Sequence, residues 1–179
     1  LDKNPSYDDR GIYCSGNQKA PVWFLTLSIG HPATRSCYLP ENTALLATLL
    51  NSECSYAEYA NLTNEFELRE CAREQQDHVV SPMASINGME IPNFENYRIQ
   101  THLFSFTLPV NNILDLLAQT TQAVSDGNWL FLKPLPPGNY ELILKGNIID
   151  NSGNNFGSPS AFAGPVGWNY STTYRLEVG

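Results

Sequence analysis

Glutamates gather in one part of this sequence, at Glu53, Glu58, Glu65, Glu67 and Glu70. Two carboxyl groups facing each other across about 5 Å, or across about 6.5–9.5 Å, can hydrolyse a glycosidic bond, one as acid and the other as nucleophile or base. A secreted glycan-active hydrolase using such a pair is therefore one reading. Solvated helix charge is the simpler one, because Glu65, Glu67 and Glu70 share a helix-like stretch. The run Asp150-Asn151-Ser152-Gly153-Asn154-Asn155 is the second chemical feature. Asp150, Asn151, Asn154 and Asn155, with Ser152, offer oxygen ligands, and Gly153 allows a tight bend. Calcium takes about six to eight oxygens at about 2.3–2.6 Å. The EF-hand spacing is incomplete and no acidic residue closes the loop. A metal-free Asn/Gly turn is the simpler reading, and calcium is the one cofactor the sequence offers.

His31, His78 and His102 form no H-E-x-x-H or H-x-H pattern. His31 precedes Pro32 and reads as a loop residue. His78 closes a helical stretch, where the dipole favours a cation, and His102 lies in a strand-like run. G-x-S-x-G is absent. Ser15, beside Gly16, follows a cysteine that is better read as half of a disulfide.

Cys14, Cys37, Cys54 and Cys71 are an even set with no C-x-x-C pair, which favours two disulfides over zinc. Disulfides place the chain in an oxidising compartment and remove the free thiolate a cysteine nucleophile needs. Three pairings are open; Cys14–Cys37 with Cys54–Cys71 is expected, because each pair brackets one candidate unit. Asn61-Leu62-Thr63 and Asn169-Tyr170-Ser171 match the N-glycosylation acceptor, making Asn61 and Asn169 candidate sites in an exported chain. Tyr56, Tyr59, Trp168 and Tyr170 lie in or near loops and could stack on sugar rings, whereas Trp23 and Trp129 read as core.

The elements that must position these residues fit one domain: a lead-in arm over residues 1–16 and a single domain over 17–179, in a chain of 179 residues. Ten basic against 18 acidic residues give a net charge of -8, and no basic run exists, which argues against nucleic acid. No apolar stretch is long enough for a membrane-spanning helix. The chain opens at Leu1 rather than Met and reads as a mature product with an export signal removed.

"PVWFLTLSIG" alternates as a strand, with Trp23, Leu25 and Leu27 on one face and Val22, Phe24 and Thr26 on the other. "ALLATLLN" fits either a helical turn or a buried strand. "TNEFELRECAREQQDHV" is the best helix, with Asn64 as cap and Glu67 as capping-box partner. Asn87-Gly88 marks a two-residue hairpin. "NYRIQTHLFSFTLP" reads as one long strand with a bulge near Thr101, and "NNILDLLAQ" as a short helical or lid-like segment with Asn112 as cap. Asp126-Gly127 reads as a turn. "WLFLKPLPPGNYELILKG" reads as a hairpin whose two strands flank a proline shoulder, and "STTYRLEVG" as the closing strand.

In order along the chain, "PVWFLTLSIG", "TRSCYLPENTALLATLLNSECS", "ELRECARE", "FSFTLPVNNIL" and "AVSDGNWLFLKPLPPGNYELILKG" resemble a family of uncharacterised secreted proteins from bacteria and archaea. That family usually places a glycine and a lysine after the proline that follows the second cysteine; this chain has Pro40-Glu41-Asn42-Thr43 there. The resemblance implies export, a β-rich fold and a strand over Ala44–Leu50. It carries no activity and assigns no functional residue.

The sequence thus predicts a mainly β protein, an antiparallel β-sandwich or jelly roll with one or two short helices. Its expected role is non-catalytic binding or assembly outside the cell. Self-association would use strand pairing or the N-terminal arm; a glycan is the other partner in view. A calcium-stabilised carbohydrate-binding module is a further alternative beside the hydrolase.

Overall fold

The computed structural model describes residues 3–28, 31–148 and 169–179. Along these the chain forms β1 (Val22–Leu25), β2 (Ala33–Leu39), β3 (Ala44–Ser55), α1 (Glu65–Asp77), β4 (Val79–Ile86), β5 (Met89–Glu90), β6 (Arg98–Gln100), β7 (Phe104–Leu108), β8 (Gln119–Leu132), β9 (Gly138–Ile148) and β10 (Asn169–Val178). The first sheet has the order β1-β3-β8-β6, with β7 also paired to β8; the second has the order β2-β10-β9-β4-β5. The protein is mainly β, as its alternation predicts.

Pairing is mixed rather than antiparallel throughout. β1 runs parallel to β3, and β10 parallel to β2. The cause is the path of the chain. It leaves β1, crosses to the second sheet as β2, and returns beside β1 as β3, reversing twice. Trp23, Leu25, Leu45, Ala47, Leu49 and Leu130 from the first sheet share one buried cluster with Cys37, Leu39, Leu142, Leu144, Tyr174 and Leu176 from the second. Trp23, Leu25 and Leu27 point inward as their spacing predicts. Ala44–Leu50 is strand.

The helix starts where its cap places it. Asn64 Oδ1 accepts from the Glu67 amide at 3.1 Å, and the Glu67 carboxylate reaches back to the Thr63 amide at 2.6 Å. The first satisfies a first-turn donor that has no helical partner, and the second ties the helix to the residue before its cap. Leu68, Cys71 and Ala72 face inward, and with Cys54, Tyr59, Leu62 and Val124 they form a second, smaller core. The disulfide Cys54–Cys71 ties α1 to β3, and Cys14–Cys37 ties the chain's start to β2. Both pairings are those the sequence predicts, and two disulfides suit an oxidising environment.

Residues 3–16 are fastened to the body. Asp8 folds its own segment, with Oδ1 accepting from the Arg10 and Gly11 amides and Oδ2 from the Tyr13 amide at 2.6 Å. Arg35, 2% exposed, donates to the carbonyls of Ser6, Asp8 and Thr26 and to the Tyr174 hydroxyl. Tyr174 in turn donates to the Thr26 carbonyl.

Several local expectations are corrected. Asp126-Gly127 is no turn: β8 runs through both, because β3 bulges opposite them between Thr48 and Asn51 and lays Asn51 over Gly127. The proline shoulder does not close a hairpin, since β8 and β9 belong to different sheets. Prolines lack the amide that a tight ladder needs, so the chain turns a corner between layers. The run from Tyr97 to Leu108 is split, with both β6 and β7 on the same side of β8; the register slips by one residue between them, near Thr101. Asn112 caps no helix. Its Oδ1 accepts from the Leu114 and Leu116 amides and its Nδ2 donates to the Pro109 and Leu116 carbonyls, so one side chain holds an irregular loop. The Asn87-Gly88 hairpin forms as predicted, at φ 49° and 76°. Asn42 takes φ 60°, the left-handed conformation that asparagine tolerates.

Candidate functional site

The helix glutamates are occupied separately. Glu65 pairs with Arg69 at 2.7 Å, Glu70 with Arg73 at 2.5 Å, and Glu67 caps the helix. Glu53 and Glu58 do come together, at the end of β3. Ser55 Oγ donates to Glu58 Oε2 at 2.6 Å. Burial, then the hydrogen bond and charge of Glu58, push the Glu53 carboxyl up from 4.5 to about 9. A carboxyl that keeps its proton at neutral pH, beside a second carboxyl group, is the chemistry of this pair. Asn51 and Glu53 Oε1 contribute buried polar atoms without a hydrogen bond among the described residues.

The histidines lie apart. His31 meets Asp9 at 2.6 Å, His78 caps the end of α1, and His102 is exposed between β6 and β7. Asp150, Asn151, Asn154 and Asn155 lie outside the described residues, as does Trp168. Asn61 is exposed in the turn before α1, and Asn169 begins β10 opposite Asn147. Tyr59 and Tyr170 are core residues rather than loop platforms for sugar, and Tyr56 packs against the smaller core. Trp23 is core as expected. Trp129 is not: it lies half-buried on the outer face of the first sheet, with Nε1 donating to the Ile99 carbonyl at 3.3 Å.

That outer face follows from register. Residues opposite each other on neighbouring strands share a face, and alternate residues switch it. Leu45 and Leu130 point to the core, so Phe24, Leu46 and Phe131 stand outward in one row, and Trp129 and Ile99 lie close by. Phe104, opposite Ala123, extends the face toward β7. Phe131 is 57% exposed, Ile99 58% and Phe24 48%, an unusual amount of aromatic and aliphatic surface in one place.

The second sheet's outer face differs. Ser36, Arg175 and Glu141 form one row across β2, β10 and β9, and Tyr38, Glu177 and Asn139 form the next. With the Asn87 turn they line an open groove of about 580 Å³. None of these groove residues stands out in the sequence. The outward alternation of "STTYRLEVG" was the available signal, but the partners across the row lie far away in the chain.

No family model matches the chain. No curated protein matches it either. Among solved structures it is similar to PbICP-C in complex with falcipain-2, at 15% identity over 87% of this chain and 98% of that one, with a TM-score of 0.32. It is also similar to the cysteine protease inhibitor EhICP2 from Entamoeba histolytica, at 11% identity over 88% of this chain and 96% of that one, with a TM-score of 0.29. Superposition that loose carries no argument about this chain. The class defined by the fold itself is a two-sheet, mainly β protein cross-linked by two disulfides.

Proposed function

We propose that this chain is a non-catalytic extracellular β-sandwich protein that acts by binding and assembly, meeting a second copy of itself through the outer face of its first sheet. The observation that carries the reading is the exposed apolar surface made by Phe24, Leu46, Trp129, Phe131, Ile99 and Phe104. A core drawn from both sheets supports the sandwich arrangement, and the two disulfides support export.

Electrostatics favours a second copy as the occupant. The chain carries a net charge of -8, yet Phe24, Leu46, Ile99, Phe104, Trp129 and Phe131 carry no ionisable group. Two copies meeting here bring little like charge together. Edge geometry supports one place of joining. Gln18 closes the free edge of β1, with Oε1 accepting from the Phe24 amide at 2.8 Å and Nε2 donating to the Phe24 carbonyl at 2.9 Å. The Arg10 carbonyl takes the Ser36 amide at 2.9 Å on the edge of β2. Strand β7 has no second backbone neighbour among the described residues and adjoins the apolar face through Phe104. An unpaired edge beside an apolar face is a ready template for strand pairing. The fastened arm of residues 3–16 is not the joining element in this reading.

Sedimentation velocity over a range of concentrations tests the proposal. The protein is expected to dimerise, and Ile99→Asp combined with Phe131→Asp to return it to monomer with its melting temperature retained. A native protein that stays monomeric at every concentration would end the assembly reading.

A further inference from the structure

We infer that the groove on the outer face of the second sheet is a binding site for a neutral polysaccharide chain. It lies on the opposite side of the molecule from the apolar face, so it neither requires nor follows from self-association. Its volume, about 580 Å³, lies within the usual range of ligand sites, about 300–1,000 Å³.

The floor is rigid. Ser36, Arg175 and Glu141 stand abreast on three hydrogen-bonded strands, as do Tyr38, Glu177 and Asn139, while Cys37 and Leu176 between the rows are buried in the core. Asn87 forms one wall: its amide donates to the Glu141 carbonyl at 2.8 Å, and its Oδ1 accepts from the Glu141 amide at 2.8 Å. Tyr38 is 56% exposed, yet its hydroxyl donates to the Gly179 carbonyl, which fixes the ring. A held aromatic ring with an open face is a platform on which the C–H face of a sugar stacks at little entropic cost.

The polar groups complete the match. Arg175 sits directly across from Glu141, but no ion pair joins it to Glu141 or Glu177 among the described residues. Its guanidinium and both carboxylates therefore remain available to a ligand. Together they offer donors and acceptors in fixed planes, which is what adjacent sugar hydroxyls require.

Other ligands fit less well. One cation against two carboxylates leaves the groove at net -1, which disfavours an acidic polymer. The central guanidinium disfavours the ammonium groups of a basic peptide. An extended peptide gains most of its affinity by pairing with a strand edge, and here the backbone groups of β10 are already paired on both sides.

Titration calorimetry of the full chain with cellohexaose, xylohexaose and mannohexaose tests the site, with hexagalacturonate and hexalysine as the competing chemistries. At least one neutral hexasaccharide is expected to bind. Tyr38→Ala and Arg175→Met should each weaken it by about tenfold or more, the scale of one hydrogen bond to a charged group. Should either variant fail to fold, Glu177→Gln supplies the same test from the surface. Phe131→Asp is expected to retain the wild-type affinity, which separates this site from assembly. Binding of hexagalacturonate or hexalysine alone, binding of no sugar at all, or neutral-sugar binding indifferent to these substitutions would each overturn the inference.

Discussion

Gly127 lies beneath the side chain of Asn51: a Cβ on Gly127 would stand 2.0 Å from Asn51 Oδ1 and 2.6 Å from Asn51 Cβ. The bulge in β3 forces this approach, because the extra residue tips Asn51 over its partner strand. Gly127→Ala is therefore expected to destabilise the protein by about 1–3 kcal/mol, the cost of overpacking a fitted site. Urea unfolding should show a lower midpoint at unchanged slope. Asn51→Gly in the same chain should restore part of the loss, and the double-mutant cycle measures the coupling. Additive effects of the two substitutions would show that they do not meet.

Arg35 makes the N-terminal segment part of the fold. Removing residues 1–10 deletes the Ser6 and Asp8 carbonyls that accept from a guanidinium 2% exposed. A hydrogen bond to a charged group is worth about 1.5–3 kcal/mol, less where water replaces the lost partner. Thermal unfolding of the truncated chain should show that loss. Arg35→Met in the truncated background should recover some of it, since no charge is then left behind. A truncation with an unchanged melting temperature would contradict the described contacts.

The legible parts of the fold were local. Asn87-Gly88 needs two positive φ values and Asn64 needs only its own first turn, so both could be read from adjacent residues. The disulfides were legible because each pair brackets one local unit, over 23 and 17 residues. Asp126-Gly127 misled because its glycine answers to Asn51, far away in the chain, and not to a turn. The parallel partners of β1 and β2 carry no local signature, since a strand's alternation is the same in either direction. The candidate site was hidden for the same reason. Ser36 and Arg175 become neighbours only when β10 returns to β2, and Glu53 meets Glu58 only after β3 ends. Trp129 read as core because tryptophan is usually buried, and its outward position is fixed by register rather than by type.

Glu53 makes stability depend on pH with a definite sign. Its carboxyl rises from 4.5 to about 9 in the folded chain, chiefly through burial and then through Glu58. Between these values the folded state holds a proton that the unfolded state has released, so the group's contribution falls as pH rises from 4.5 toward 9. It is fully present below 4.5 and levels off above 9. Glu53→Gln removes this dependence. The variant is expected to be more stable than the native chain at pH 8, with the difference shrinking as pH falls toward 4.5. Denaturant midpoints across that range check it, and parallel curves for the two proteins would refute the proton-sharing pair.

The Cys54–Cys71 bond is the other device holding the helix region, and its loss should be felt locally as well as globally. It closes a span of 17 residues between β3 and α1, for which chain-entropy arguments give about 3 kcal/mol. Both sulfurs are fully buried, beside Leu68, Ala72 and Val124. Replacing the two cysteines by alanine keeps that surroundings apolar while cutting the tether. Helix α1 still has its cap at Asn64, and Arg98 still joins Asp77 at 2.7 Å to the buried Asp126 at 2.7 Å, so the helix should remain attached through charge and hydrogen bonds. Those exposed ends of the network are screened by salt, whereas the disulfide is not. The double-alanine variant is therefore expected to lose about 3 kcal/mol and to become more salt-sensitive than the native chain. Amide exchange should speed up first in α1, before the strands of the main core. Exchange that accelerates uniformly over both sheets and the helix would mean that α1 is not a separately anchored unit.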